Sequence, residues 1–206
     1  MKFTYAYISY KKDVYDQYLK PSLDKIRDKV DIITKSNIKP SKFHNEVIQE
    51  SKNDIIIFSH EDVTFSSDIL DVINETISDN PNFGVLCVVG KNKSNKNIGA
   101  LTSTYYNLEF CDPCFFVINK KNNILFDEKT FDEFHFGVED YCINVKQTLN
   151  KDVITLKIKW GSDGDLRNFR HHSYTCKTVK YQWGNYQHYK NLLKKKWNNL
   201  DNIKVF

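Results

Sequence analysis

The chain has 206 residues, 40% of them hydrophobic, 14% aromatic and 27% charged. That content supports a packed core, excludes a chain that stays unfolded over most of its length, and makes one domain the default. Thirty basic residues against 26 acidic ones give a net charge of +4, spread along the chain rather than gathered in one patch, which argues against a nucleic-acid binder.

No window approaches the roughly 20 apolar residues of a membrane-spanning helix, and Met1–Ser9 lacks the apolar centre of a signal peptide. The five cysteines, Cys87, Cys111, Cys114, Cys142 and Cys176, are odd in number and mostly inside apolar segments. They fit free thiols in a reducing cytosol better than a disulfide framework.

In chain order, Phe3–Ser9 predicts a strand and Lys11–Asp28 an amphipathic helix interrupted at Pro21. Val30–Thr34 predicts a second strand, and Ser41–Ser51 a helix with Phe43, Val47 and Ile48 at helical spacing. Asp54–Ser59 is apolar through its middle, the pattern of a parallel strand buried on both faces, and runs into His60-Glu61-Asp62. Ser67–Ser78 predicts a helix with Ile69, Leu70, Ile73 and Ile77 on one side, and Gly84–Val89 a strand closed by Gly90. Alternating strands and helices imply βαβ units, hence an α/β fold with a parallel sheet covered by helices. Ligands in such sheets bind at the carboxyl ends of the strands.

Farther along, Lys91–Asn97 has no apolar residue and predicts an exposed loop. Phe110–Asn119 predicts a strand opening on Cys111-Asp112-Pro113-Cys114, with Lys120–Asn123 a hairpin turn into Ile124–Phe126. Val138–Asn150 predicts a helix, Val153–Lys159 an alternating strand, and Tyr186–Asn199 a basic C-terminal helix. No segment repeats.

Four clusters hold groups suited to chemistry. In Ser59-His60-Glu61-Asp62-Val63, carboxylates at the end of an apolar strand suit a hard divalent cation. Asp62 is the strongest ligand; Glu61 is a second carboxylate, although neighbours on an extended backbone point to opposite sides. Polar residues that merely end a buried strand explain the cluster more simply. Glu139 and Asp140 open a predicted helix, where carboxylates complement the dipole, yet two of them behind a Gly-containing aromatic loop also fit a general base at a cleft edge.

Asp112 is either a turn-former ahead of Pro113 or a contact for a polar ligand. The Cys111–Cys114 spacing suggests a redox or zinc pair, but there is no second pair and the context is a strand start. His171-His172 follow a flexible polar loop over Gly161–Asp165 and suit a metal ligand that arrives as the loop closes. Their weight depends on Glu61 and Asp62 being near in space.

In this order the features resemble nucleotide-sugar-dependent glycosyltransferases of the GT-A fold, the small family-2-like group, from about Phe3 to His172. Ser59-His60-Glu61-Asp62-Val63 is similar to that group's Asp-x-Asp metal motif, with His60 in place of the first Asp, and Glu139-Asp140 is similar to its Glu-Asp catalytic motif. The resemblance implies a single GT-A-like (Rossmann-like) α/β domain, with a mainly parallel central sheet flanked by helices. A nucleotide-sugar-binding half would span residues 1–100, an acceptor and catalytic half 101–185, and a basic C-terminal helix 186–206.

It further implies that Asp62 binds Mn²⁺ or Mg²⁺ through the donor's diphosphate, with Glu61 assisting and His172 as a distal ligand. Ser9, Tyr10, Asn45, His60 and Glu61 would contact the donor and Asp112 the acceptor. Asp140, with Glu139 beside it, would deprotonate the acceptor hydroxyl in an inverting hexosyl or deoxyhexosyl transfer. The implied partners are a nucleoside diphosphate sugar and a glycan or lipid-linked acceptor, with no nucleic acid.

Two other classes stay open. One is a binding module that holds nucleotide or glycan on this scaffold without turnover. The other is a nucleotidyltransferase, against which Ser9-Tyr10-Lys11-Lys12-Asp13 counts because it lacks glycine. In the C-terminal stretch, Lys190, Lys194, Lys195 and Lys196 beside Leu192, Leu193 and Trp197 allow peripheral contact with an anionic membrane. Packing on the domain with a solvated basic face is the simpler reading.

Overall fold

A computed structural model describes residues 1–94, 96–162, 166–172 and 183–197. The central sheet contains β1 (Phe3–Ile8), β2 (Val30–Lys35), β3 (Ile55–Ser59), β5 (Phe83–Cys87), β9 (Phe115–Asn119) and β10 (Asp152–Thr155), in the order β10-β5-β9-β3-β1-β2. Strand β1 pairs in parallel with β2 and β3, and β5 with β10, whereas β9 runs antiparallel to β3 and β5. The expected mainly parallel sheet is therefore present. The apolar run of β3 has a parallel neighbour on one edge and an antiparallel one on the other.

Side chains alternate across the sheet with a period of two. Ile8, Phe58 and Phe116 join one core with Phe43 and Val47 of α2 (Pro40–Glu50) and Val138 and Ile143 of α4 (Gly137–Leu149). Tyr5, Ile57 and Val117 join the other with Leu19 and Leu23 of α1 (12–23) and Leu70 and Ile73 of α3 (Ile69–Asp79). Each fully buried Ile, Leu or Phe contributes roughly 1.5–3 kcal/mol of transfer free energy. The chain leaves β1 toward β2 on one side and returns to β3 on the other, with α1 and α2 on opposite faces. That reversal opens a crevice at the carboxyl ends of β1 and β3.

Several boundaries differ from the sequence pattern for local reasons. Pro21 does not interrupt its helix: a π-turn over Tyr15–Leu19 precedes it and the helix continues to Leu23. The wider turn accommodates a ring that would crowd the preceding turn, at a residue with no N–H to donate. Gly90 lies within β6 (Val89–Lys91) instead of closing a strand. A Cβ there would stand 2.3 Å from the Phe110 carbonyl oxygen, so glycine lets β8 (Phe110–Cys111) pair with β6. Strand β6 pairs antiparallel with β7 (Asn97–Gly99), so Lys91 and Asn97, the ends of the predicted loop, belong to strands.

The expected strand over 110–119 is split, because Pro113 cannot donate to a ladder and Asp112 Oδ1 accepts the Cys114 N–H at 2.9 Å in a tight turn. After β9 comes a 3₁₀ turn, Lys120–Asn122, with Asn123 left-handed at φ 52°, and residues 124–126 form no strand. The predicted strand over 153–159 ends at Thr155. Lys159–Trp160 (β11) instead joins β12 (Asn168–His171) and β4 (Val63–Phe65) in a small separate sheet.

The C-terminal helix α5 (Trp183–Lys196) starts before Tyr186; residues 198 and 199 of the predicted helix lie outside the described residues, as does Cys176. Leu193 and Tyr189 are buried in the domain core, so α5 packs inward. Among the described residues no helix is long and apolar enough to cross a membrane. Cys87, Cys111, Cys114 and Cys142 are buried free thiols.

Candidate functional site

A cavity of about 390 Å³ opens in the crevice and sinks along the face covered by α2 and α4. Tyr10 and Lys11 line it after β1, and His60, Glu61 and Asp62 after β3. Pro40, Ser41 and His44 come from the first turns of α2, and Phe134, Gly137 and Val138 from the entry to α4. A Cβ on Gly137 would meet Ser41 Oγ at 2.6 Å, so this glycine lets the two helix starts close together. Phe136, just before it, is held left-handed at φ 67°, a conformation costly for a bulky residue and often found where a site imposes it.

On the rim, one ligand atom each from His60, Asp62 and His171 lies within 4.8 Å of the others. Antiparallel pairing of β12 with β4 sets His171 opposite Val63, next to Asp62, and the His172 N–H donates to the Asp62 carbonyl at 2.8 Å. Strand alternation then sends the two histidines apart. His171 Nε2 stands 3.2 Å from Asp62 Oδ1, whereas His172 stacks on Tyr18 at 4.3 Å and has its Nε2 3.0 Å from Thr64 Oγ1. The structure therefore brings His171, not His172, to Asp62.

His60 Nδ1 is 3.8 Å from the same oxygen. Although His171 Nε2 and Asp62 Oδ1 are close enough for an ion pair, neither makes an aligned hydrogen bond, and both are buried. Buried polar atoms without an aligned hydrogen bond are costly, even within an ion pair. A divalent cation would satisfy both, so two imidazoles and a carboxylate fit a metal here. Burial pushes the Asp62 carboxyl up, but His171 and His60 outweigh it and hold it below the usual range. Burial, with His171 beside it, lowers His60. Burial also lowers His171, yet Asp62 brings it above the ordinary value. A second group, Asp112, Cys114 and His171, overlaps the first through His171.

The remaining site residues fall into two sets. Glu61 Oε1 accepts the Lys11 N–H at 2.7 Å and Oε2 the Tyr10 N–H at 3.1 Å, so its carboxylate fastens the loop after β1. Burial keeps its pKa raised in spite of those two bonds. Tyr10 is half exposed and its ring faces Phe134 across the mouth at 5.6 Å. Ser9 donates its N–H to the Lys35 carbonyl at 2.8 Å and is not among the lining residues. Asn45 is likewise outside the lining: its Oδ1 accepts from the Phe126 N–H at 2.8 Å, and its Nδ2 donates to the Phe126 carbonyl at 3.0 Å and to Glu128 at 3.2 Å. It ties α2 to the chain at 126–128.

Glu139 and Asp140 are neighbours about 100° apart around a helix, and their surroundings diverge. Asp140 is 1% exposed. Its Oδ2 accepts from Lys196 Nζ at 2.9 Å and its Oδ1 from Trp197 Nε1 at 2.8 Å. Burial raises its pKa against the pull of Lys196. Glu139 is only partly buried, and its pKa is pushed up to about 8, by burial first, with Asp112 and Asp140 adding and Lys91 opposing. Asp112 also acts on His171 and His60, which puts it electrostatically between Glu139 and the His60–Asp62–His171 group.

Sequence reasoning missed His44, whose signal was an imidazole beside Phe43 on the apolar side of α2. It also missed the clamp of Lys196 and Trp197 on Asp140, which no local pattern announces.

No protein-family model matches the chain, and no curated protein sequence does. Solved structures do. S. aureus TarS 1–349 superposes with a TM-score of 0.59 at 12% identity, covering 98% of this chain and 66% of that one. The same protein in complex with UDP-GlcNAc gives 0.58 at 14%, covering 98% and 68%. The mannosyltransferase PcManGT from Pyrobaculum calidifontis, in complex with GDP-Man and Mn²⁺, gives 0.60 at 9%, covering 92% and 60%. A197 from STIV gives 0.51 at 12%, covering 76% and 82%. The fold is GT-A-like, and the chain spans about two thirds of the length of the TarS fragment.

Proposed function

We propose that this protein is an inverting glycosyltransferase that uses a nucleoside diphosphate sugar and a divalent cation, Mn²⁺ or Mg²⁺. The observation that carries the reading is the His60–Asp62–His171 group, whose buried His171 Nε2 and Asp62 Oδ1 lack an aligned hydrogen bond, on the rim of a cavity at the carboxyl edge of a GT-A-like sheet. Structural neighbours whose complexes contain UDP-GlcNAc, or GDP-Man with Mn²⁺, support it.

His60, Asp62 and His171 would hold the cation; when bound, it supplies Lewis-acid stabilisation of the negative charge that builds on the leaving diphosphate. Tyr10 and the loop fastened by Glu61 border the donor's nucleoside end, and the aromatic lining excludes water that would hydrolyse the donor. Glu139 takes the proton of the acceptor hydroxyl on its carboxylate as the acceptor oxygen bonds to the anomeric carbon and the bond to the diphosphate oxygen breaks. Attack opposite the leaving group inverts the centre. Asp140 is a positioning residue that holds α4 to α5. The acceptor is a hydroxyl of a glycan or lipid-linked molecule, and the buried free thiols support a cytosolic setting.

The test is thermal unfolding of wild type and Asp62→Ala with UDP or GDP, in Mn²⁺ and in chelator. Stabilisation by nucleotide in Mn²⁺ alone, lost in the variant, is expected. Equal behaviour with and without the ion overturns the metal assignment.

A further inference from the structure

The α2 side of the cavity holds a polar group that neither the cation site nor the base requires. His44 lines the cavity yet is 8% exposed. Its ring packs against Phe126 at 4.5 Å, Phe58 at 4.7 Å and Phe116 at 5.4 Å, and its Nδ1 is buried with no hydrogen-bond partner. Burial, with His60 adding, lowers its pKa to about 3, so the ring is neutral at physiological pH. Because a buried N–H without an acceptor is rarer than an unmatched lone pair, the proton is assigned to Nε2, and in that tautomer the ring is a donor.

The surroundings indicate what would meet that donor. Phe116 lines the cavity with Pro113 and Val138, the chain neighbours of Asp112 and Glu139, whereas Tyr10 and Lys11 follow the end of β1. A donor whose diphosphate was held at His60, Asp62 and His171, with its nucleoside near Tyr10 and Lys11, would leave its sugar the part of the cavity walled by Phe116 and Val138. Among the described residues the only Lys or Arg lining the cavity is Lys11; Glu133 lines it too. A sugar carboxylate would find aromatic rings and other carboxylates, and burying an unpaired charge there is costly.

We propose that His44 is a specificity-determining residue for the donor sugar, donating a hydrogen bond to a hydroxyl or acyl oxygen of an uncharged sugar seated against Phe116 and Val138. The inference rests on the glycosyltransferase reading and deepens it. Losing one such bond in an enclosed site costs about tenfold in affinity.

The experiment is isothermal titration of the full chain, wild type, His44→Phe and His44→Gln, in Mn²⁺. The probes are UDP, GDP, UDP-glucose, UDP-GlcNAc, GDP-mannose and UDP-glucuronate, with thermal unfolding confirming that each variant folds. Wild type is expected to bind one neutral-sugar donor more tightly than its free nucleotide and at least about tenfold more tightly than UDP-glucuronate. His44→Phe should keep nucleotide affinity within about twofold and lose about tenfold on the donor, and His44→Gln, which restores an N–H, should recover part of that loss.

If His44→Phe binds the donor as wild type does, or loses nucleotide and donor equally, the assignment of His44 to the sugar is overturned while the glycosyltransferase reading stands. The same holds if wild type prefers the uronate or gains nothing from any neutral sugar. If both variants fail to fold, His44 is a core residue and the assignment falls. Wild type that binds no nucleotide in Mn²⁺ overturns the glycosyltransferase reading and this inference together.

Discussion

The rim that carries His60, Asp62 and His171 takes its shape from backbone ladders. All five residues of β3 are paired on both edges, and β12 is registered against β4. The rim that carries Phe134 and leads to Val138, the chain neighbour of Glu139, is held by side chains from distant segments. Lys39, just ahead of α2, and Tyr189 of α5 both hold Asp132, Asn185 holds Glu133, and Lys196 joins Asp127 to Asp140. A ladder fixes ligand positions wherever the register holds, while a clamp fixes a loop only as long as each polar pair survives. Substitutions on the first rim should therefore remove donor binding, and those on the second should alter turnover or stability with donor binding retained.

The largest effect expected is on the ladder rim. His171→Ala should weaken Mn²⁺-dependent nucleotide binding by at least the roughly 10–100-fold lost when a group that merely orients a metal ligand is removed, while His172→Ala should stay within about threefold. Titration calorimetry in Mn²⁺ checks both, and the reverse order would mean that His172 is the ligand.

Next is the base. Glu139→Gln should lower turnover by about 10²–10⁴ with donor affinity unchanged. A variant with full turnover would remove Glu139 from the role.

The raised pKa of Glu139, about 8, gives an effect of intermediate size with two signs to check. Transfer rate should rise about tenfold per pH unit up to about 8, where the carboxylate forms, and then level off. Stability runs the other way. The folded pKa lies above the unfolded value of about 4.3, so this group's contribution is complete below that value and is lost as pH rises through 8. The difference in melting temperature between wild type and Glu139→Gln should therefore shift against wild type between pH 5 and 9; a constant difference contradicts a raised Glu139 pKa.

The smallest effect falls on the clamp. Asp140→Asn should cost about 1–3 kcal/mol of stability and leave turnover within about tenfold, as denaturant unfolding and initial rates would show. Abolished turnover in a stable protein would return the base role to Asp140.

Much of the ladder rim was legible in the sequence because its causes are local. The apolar run 55–58 marks a buried strand, the spacing of Phe43, Val47 and Ile48 marks α2, and Asp62 follows directly from where β3 ends. What was not legible depends on partners far along the chain. The choice between His171 and His172 is set by pairing with a strand more than a hundred residues earlier. Asp140 differs from Glu139 because Lys196 and Trp197 reach it from α5. Asn45 is occupied by the backbone at Phe126, a consequence of where the chain runs after β9, which the predicted hairpin had placed elsewhere.

The central assignment is the cation at His60, Asp62 and His171, and electron paramagnetic resonance of Mn²⁺ titrated with protein and nucleotide tests it most directly. Wild type should deplete the free-ion signal in the presence of UDP or GDP, and Asp62→Ala should leave it near the protein-free level. Equal depletion by the two proteins, or none by wild type, would contradict the assignment.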